Sequence, residues 1–141
     1  MKRKTSMPQI PGMPTEEKSR KLATLLDEKQ GENIVVLDVT GISPLAEHII
    51  VVTGKGQRHV QALADAVIHM AREEKFVSFG VEGYQTGTWI LVDLNDISVH
   101  IFLEDVRSFY NIEGLWSEGT RVEWLAASTL TPGQGSGPGA Q

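Results

Sequence analysis

The chain has 141 residues, of which 40% are hydrophobic, and this length and composition support one domain around one hydrophobic core. It contains no cysteine, which excludes disulfide scaffolds, thiolate metal sites and cysteine nucleophiles and favours a reducing compartment. No apolar run approaches the roughly 18 residues of a membrane-spanning helix, and none has the form of a signal peptide. We therefore expect a soluble cytoplasmic protein that does not associate with a membrane.

The charges are unevenly distributed along the sequence. The net charge is -5, but residues 15–125 contain 10 basic and 18 acidic side chains, and the remaining basic residues are Lys2, Arg3 and Lys4. An acidic body repels phosphate, which argues against direct, sequence-specific binding of nucleic acid and favours a basic protein as the partner. An acidity that only keeps the chain in solution is an equally good interpretation.

Two terminal segments lack the pattern of a folded structure. Residues 1–14 have three prolines and a basic start, which predicts a disordered arm. Residues 126–141 end in an uncharged run rich in Gly and Pro, which predicts a flexible tail. The folded domain is therefore predicted to span residues 15–125.

The folded part begins with a predicted helix that Thr15 caps and Gly31 ends. Two continuous aliphatic runs, at 34–37 and 49–52, predict strands that are buried on both faces. Periodicity then predicts a helix at 57–74, a weaker strand at 76–81, strands at 89–94 and 97–103, and a short helix at 104–110. This order predicts an α/β (α+β) single domain with a mixed five-stranded sheet flanked by helices.

The last two strands form a predicted hairpin, because Asn95 tolerates the positive φ that a two-residue turn with Asp96 demands. The turn sets the register and separates two faces. The aliphatic face suits a core under a helix and comprises Ile90, Val92, Leu94, Ile97, Val99 and Ile101. The other face mixes aromatic and polar side chains and comprises Trp89, Leu91, Asp93, Ser98, His100 and Phe102. Such a mixture is typical of a surface that a partner covers, although the C-terminal segment is an equal candidate to cover it.

Patterns for catalysis or metal binding are weak or absent in the sequence. The loop at 53–58 links a strand to a helix as phosphate-binding loops do, but without Gly-Lys-Ser/Thr it is better interpreted as a structural turn. Asp65 and His69 are four residues apart and could meet on the helix, but they lie opposite its apolar stripe, which favours a solvated pair over a metal site. The sequence has neither paired carboxylates for two-metal catalysis nor a GxSxG elbow, so we expect no enzyme, no metal and no cofactor.

Four segments, taken in order, resemble the ribosomal silencing factor family, also called Iojap-like proteins: residues 46–65, 81–83, 88–103 (TWILVDLNDISVHIFL) and 104–116 (EDVRSFYNIEGLW). The resemblance implies a nucleotidyltransferase-like mixed sheet without the catalytic carboxylates. It also implies a repressor of translation that binds the fourteenth protein of the large ribosomal subunit and sterically blocks joining of the small subunit when nutrients are short. Members of the family often form homodimers when they are free of the ribosome.

The resemblance and the mixed hairpin face together predict the partner-binding residues. The family's motifs match Trp89, Asp93 and His100 in the hairpin and Arg107, Tyr110 and Trp116 in the segment after it, while the hairpin face adds Leu91 and Phe102. Further loop contacts are predicted at Gly54, Arg58 and Glu82. The chain departs from the family's usual pattern at three positions. The family usually has Gly at the position of Asn95, and it often has Ser or Thr at Gly56 and Arg at Gly114.

Two other functions are compatible with the same residues. A factor for assembly of the large subunit would use the same surface, and its loss would leave immature subunits. A degenerate nucleotidyltransferase-like enzyme would use the loop at 54–56 and would bind a nucleotide, although the missing carboxylate pair argues against it.

Overall fold

A computed structural model describes residues 12–125, so the arm predicted at 1–14 and the tail predicted at 126–141 lie almost entirely outside the described residues. In chain order the elements are α1 (Thr15–Glu28), β1 (Glu32–Asp38), β2 (His48–Gly54), α2 (Gln57–Glu74), β3 (Gly80–Glu82), β4 (Trp89–Asp93), β5 (Ile97–Leu103), α3 (Glu104–Tyr110), α4 (Ile112–Leu115) and β6 (Thr120–Arg121). None of these helices is both long and apolar enough to cross a membrane.

The strands form one mixed sheet in the order β3-β4-β5-β2-β1-β6. The central strands β2 and β5 are parallel, and the other neighbouring pairs are antiparallel. The predicted count of five strands is wrong, because β6 pairs with the outer edge of β1. A strand of two residues is too short to show alternation in a sequence, and it forms where β1 offers an open edge. The strand predicted at 76–81 is shorter and starts later than predicted, at Gly80–Glu82.

Helices α1 and α2 cover one face of the sheet, and the main core lies between them and the strands. Every residue of β2 is buried, as its continuous aliphatic run predicts. The aliphatic hairpin face lies in this core too, together with side chains that are fully buried on α1 and α2: Leu22, Leu26, Val60, Leu63 and Val67. Burying an aliphatic side chain of this size contributes on the order of 2 kcal/mol, so this layer is the main source of the domain's stability.

The hairpin register agrees with the prediction. Asn95 has φ +75°, and the amide N–H of Leu94 donates to the carbonyl oxygen of Ile97 at 2.9 Å, which closes the two-residue turn. Trp89 therefore lies opposite Phe102, and Leu91 lies opposite His100. This pairing places the mixed face on the side of the sheet away from α1 and α2.

The start of α1 differs from the prediction. Its N-cap is Pro14, and Thr15 is the first helical residue. The Thr15 hydroxyl donates to the Asp96 carboxylate at 2.6 Å, and the same carboxylate forms an ion pair with Lys18 at 2.9 Å. A carboxylate from the hairpin turn, 81 residues away, thus takes the hydroxyl that would otherwise cap the helix.

Candidate functional site

The most distinctive surface is a group of rings on the mixed face, here called the aromatic cluster: Trp89, His100, Phe102 and Tyr110. The first three come from β4 and β5, and Tyr110 comes from the end of α3. The Trp89 ring centroid lies 4.9 Å from that of Phe102 and 4.8 Å from that of Tyr110, with tilted planes. Pairs at such separations add roughly 1 kcal/mol each beyond the area they bury, so the cluster is a firm platform.

The aromatic cluster is layered. Phe102 is completely buried, Trp89 is half-buried, and Tyr110 is 52% exposed. Phe102 was predicted as a partner contact, but its position makes it the support on which the Trp89 ring rests. The accessible ring surface belongs to Trp89 and Tyr110, the pair that a partner can reach.

The C-terminal segment covers only part of the mixed face. Val106, Ile112 and Trp116 pack over the β1–β2 half, where they form a second core with aliphatic residues such as Val35 and Val51. Over the β4–β5 half, Leu91, Asp93, Ser98 and His100 keep intermediate exposure. The C-terminal segment therefore covers the β1–β2 half of this face, and the β4–β5 half stays open to solvent.

His100 is tied to Trp89 by a hydrogen bond. The indole Nε1–H of Trp89 donates to Nδ1 of His100 at 3.1 Å. An accepting Nδ1 means that the imidazole is neutral and carries its proton on Nε2. Burial lowers the pKa of His100 from 6.5 to about 4, because desolvation penalises the charged ring. The pair is consequently held in one protonation state at neutral pH.

Arg107 points inward. Its guanidinium forms a two-pronged ion pair with Glu113, through contacts of 2.9 Å to each carboxylate oxygen. The remaining donors reach the Asn33 carbonyl at 2.7 Å and the Thr53 hydroxyl at 2.8 Å. The hydrogen bonds from Arg107 hold the pKa of Glu113 below its usual value. Arg107 was predicted to contact a partner, but these bonds make it a clamp that fixes α3 and α4 to β1 and β2.

The other predicted face residues have mixed surroundings. Trp116 is half-buried against the second core. One Asp93 carboxylate oxygen accepts the amide N–H of Asn95 at 3.0 Å, which stabilises the hairpin turn. Leu91 lies between His100 and Glu82 on neighbouring strands, so Glu82 extends the face to the edge strand β3.

The predicted loop contacts do not form one site. Gly54 is buried, and a Cβ there would lie 2.7 Å from the Val60 side chain, so the glycine allows α2 to pack closely. The Lys55 amide N–H, a candidate phosphate donor, is already bonded to Nδ1 of His59 at 2.9 Å. Arg58 is exposed on α2, which packs on the opposite face of the sheet from the aromatic cluster. This arrangement matches a structural turn.

The residues considered for a metal site have other partners. The Tyr84 hydroxyl donates to Asp65 at 3.1 Å, and His69 lies 3.6 Å from Glu73. The predicted pairing of Asp65 with His69 is therefore wrong, although both side chains are on the surface. Within residues 12–125, no group of three His, Cys, Asp or Glu side chains could hold a metal ion.

Two exposed apolar residues on the short C-terminal helices α3 and α4 were not predicted. Phe109 is 80% exposed and Leu115 is 71% exposed. Phe109 packs edge-on against Tyr110, with ring centroids 5.0 Å apart. Helices as short as α3 and α4 show no amphipathic period, so only their tertiary placement reveals these side chains as surface.

Comparisons with known proteins agree with this architecture. The family model described as "Ribosomal silencing factor during starvation" matches residues 13–136. The chain is 37% identical over 98 residues to a ribosomal silencing factor RsfS from Halalkalibacterium halodurans, an alignment that covers 70% of this chain and 84% of that protein. It is 41% identical over 96 residues to a protein of the same name from Haemophilus influenzae, covering 68% of this chain and 94% of that protein.

More distant relatives and solved structures extend the likeness. The chain is 26% identical over 117 residues to the mouse "Mitochondrial assembly of ribosomal large subunit protein 1", covering 77% of this chain and 50% of that protein. The fold is similar to a crystal structure of a Chromobacterium violaceum protein, with a TM-score of 0.73 and 37% identity over 74% of this chain and 88% of that one. The segment that the family model matches, residues 13–136, contains the sheet, both long helices and the whole aromatic cluster. The chain therefore belongs to the ribosomal silencing factor (RsfS) family.

Proposed function

We propose that this protein binds the large ribosomal subunit through its fourteenth protein and sterically blocks joining of the small subunit, thereby repressing translation. The observation that carries the proposal is the accessible pair of rings, Trp89 and Tyr110, on the open half of the mixed face in a chain of this family. A steric mechanism needs a firm docking surface and a bulky body, and it needs no turnover.

The charge and chemistry of the face fit a basic protein partner. The acidic excess of residues 15–125, with 18 acidic against 10 basic side chains, accelerates encounter with a basic surface. The rings then supply affinity, because tryptophan and tyrosine are among the residues that most often dominate binding energy. Phe109, which packs edge-on against Tyr110, extends the apolar area beside them.

Co-sedimentation with isolated ribosomal subunits tests the proposal directly. We expect the purified protein to sediment with large subunits and not with small subunits, and we expect fewer whole ribosomes when small subunits are then added. Failure to bind large subunits would refute the proposal. Binding without any effect on joining would leave the steric step unsupported and favour an assembly function.

Replacement of Trp89 by Ala tests the docking surface. We expect large-subunit affinity to fall by roughly 30-fold or more, equivalent to about 2 kcal/mol for an aromatic hot spot. Trp124→Ala is the matched control, because Trp124 packs against the main core on the opposite side of the sheet. Both variants should retain the far-ultraviolet circular dichroism of the parent. Equal affinity in a folded Trp89→Ala variant would exclude this face as the binding site.

A second candidate function, assembly of the large subunit, is favoured by the name of the mouse relative. The same surface would serve both functions, so the two are distinguished in cells. Loss of an assembly factor would leave immature large subunits during growth. Loss of a silencing factor would leave translation active when nutrients are withdrawn.

The remaining features follow from the same proposal. We expect the protein to act in the cytoplasm, where bacterial ribosomes assemble, and to form a homodimer when free, which sedimentation equilibrium can measure. The nucleotidyltransferase-like enzyme is the least supported alternative, because the Lys55 amide is already bonded within its own turn. Nucleotide binding in calorimetry would revive it.

A further inference from the structure

The indole ring of Trp89 is held on several sides. Phe102 lies against it from the opposite strand and Tyr110 lies against it from α3, with centroid distances of 4.9 and 4.8 Å. Such ring contacts are compatible with more than one relative orientation, so they support the indole without fixing its direction. The hydrogen bond from Nε1 to His100 Nδ1, at 3.1 Å, is the directional contact among them.

His100 is well suited to fix another side chain. It lies on β5, between Leu91 of β4 and Val51 of β2, so strand pairing constrains its backbone on both sides. Its neutral ring accepts at Nδ1, which is the atom that faces the indole. Trp89 is the first residue of β4 and directly follows a loop.

We propose that His100 is a positioning residue: it holds the Trp89 indole in the orientation that binds the ribosomal partner. The inference rests on the proposed function and deepens it, since it assigns the histidine to the tryptophan and not to the partner. The indole N–H is then used within the protein. Trp89 therefore offers the face of its ring to the ribosomal partner. A partner that presents an apolar side chain surrounded by basic residues fits this surface best.

A matched pair of variants separates the hydrogen bond from the shape of the residue. In His100→Asn, the amide oxygen takes the place of Nδ1 as an acceptor. In His100→Leu, the new side chain has the same branching as Asn and nearly the same size, but it has no hydrogen-bond acceptor. The readout in the free protein is the NMR chemical shift of the Trp89 indole N–H. The Trp89→Phe variant identifies this signal among the three tryptophan signals, because it is the one that disappears. We expect this resonance to stay near its wild-type position in the Asn variant and to move in the Leu variant.

Affinity for isolated large subunits is the second readout. We expect His100→Leu to weaken binding about fivefold, the ratio that one net hydrogen bond supports, and His100→Asn to remain within about twofold of wild type. Trp89→Phe, which keeps a ring but removes the donor, should lose a similar factor. Adding His100→Leu to Trp89→Phe should cause little further loss, because the bond is already absent.

Several results would overturn the inference. An indole resonance that does not move in His100→Leu would show that the histidine does not hold the ring. An equal loss of affinity from His100→Leu in the wild-type and Trp89→Phe backgrounds would show that His100 contacts the partner directly. Should the Leu variant fail to fold, full affinity in Trp89→Phe would overturn it. If wild-type protein does not bind large subunits, the proposed function fails, and the resonance alone decides whether His100 orients Trp89.

Discussion

Arg107→Leu is the perturbation that best tests the clamp between the C-terminal helices and the sheet. The substitution removes a two-pronged ion pair whose side chains are only 11% and 27% exposed, and it leaves the Thr53 hydroxyl and the Asn33 carbonyl without their donor. A charge-assisted pair in this setting contributes about 1.5 kcal/mol after allowance for its partial exposure, and each acceptor left without a donor adds up to about 1 kcal/mol. We therefore expect a loss of about 3 kcal/mol in the free energy of unfolding.

Urea unfolding followed by circular dichroism measures this loss. A double-mutant cycle with Glu113→Gln should give a coupling energy of about 1.5 kcal/mol, because the cycle isolates the ion pair from the bonds that Arg107 makes to Asn33 and Thr53. Arg58→Leu is the matched control, since Arg58 is exposed on α2 and its loss should change stability by less than about 0.5 kcal/mol. If Arg107→Leu were as stable as the control and yet failed to bind large subunits, Arg107 would be a partner contact and the clamp would be refuted.

The remaining predictions concern His100 and the turn before β4. Burial lowers the pKa of His100 from 6.5 to about 4, so the unfolded chain takes up the proton first and stability falls as the pH drops through this range. Between pH 7.5 and pH 4.5, wild-type protein should lose on the order of 2 kcal/mol more than His100→Asn in urea unfolding, and equal losses would contradict this. Gly83 has φ +82°, and a Cβ there would clash with the Trp89 carbonyl oxygen. Gly83→Ala should therefore cost more than about 2 kcal/mol, whereas Gly41→Ala, at φ +84° in open space, should cost only about 1 kcal/mol of backbone strain. Similar melting temperatures for the two alanine variants would show that the clash is relieved.

Local pattern was sufficient for most of the fold. Alternation with a period of two, together with Asn95 at the turn, determined which hairpin residues lie opposite each other and which face each occupies. The continuous aliphatic runs identified β2 as a buried strand, and helical periodicity identified α2 with its bounds. These features depend on residues close in the chain, which is why the sequence contains them.

The roles of individual site residues depended on tertiary structure. Arg107 reaches Asn33 across 74 residues and Thr53 across 54, so no local pattern distinguishes a clamp from an exposed contact. Phe102 and Trp89 share a face of the hairpin, yet α3 and α4 decide that one is buried and the other accessible. The short strand β6 likewise exists only because β1 has an open edge. The sequence by itself determined the sheet faces and the family, through local periodicity and ordered motifs, whereas long-range packing alone decided which of those residues a partner can reach.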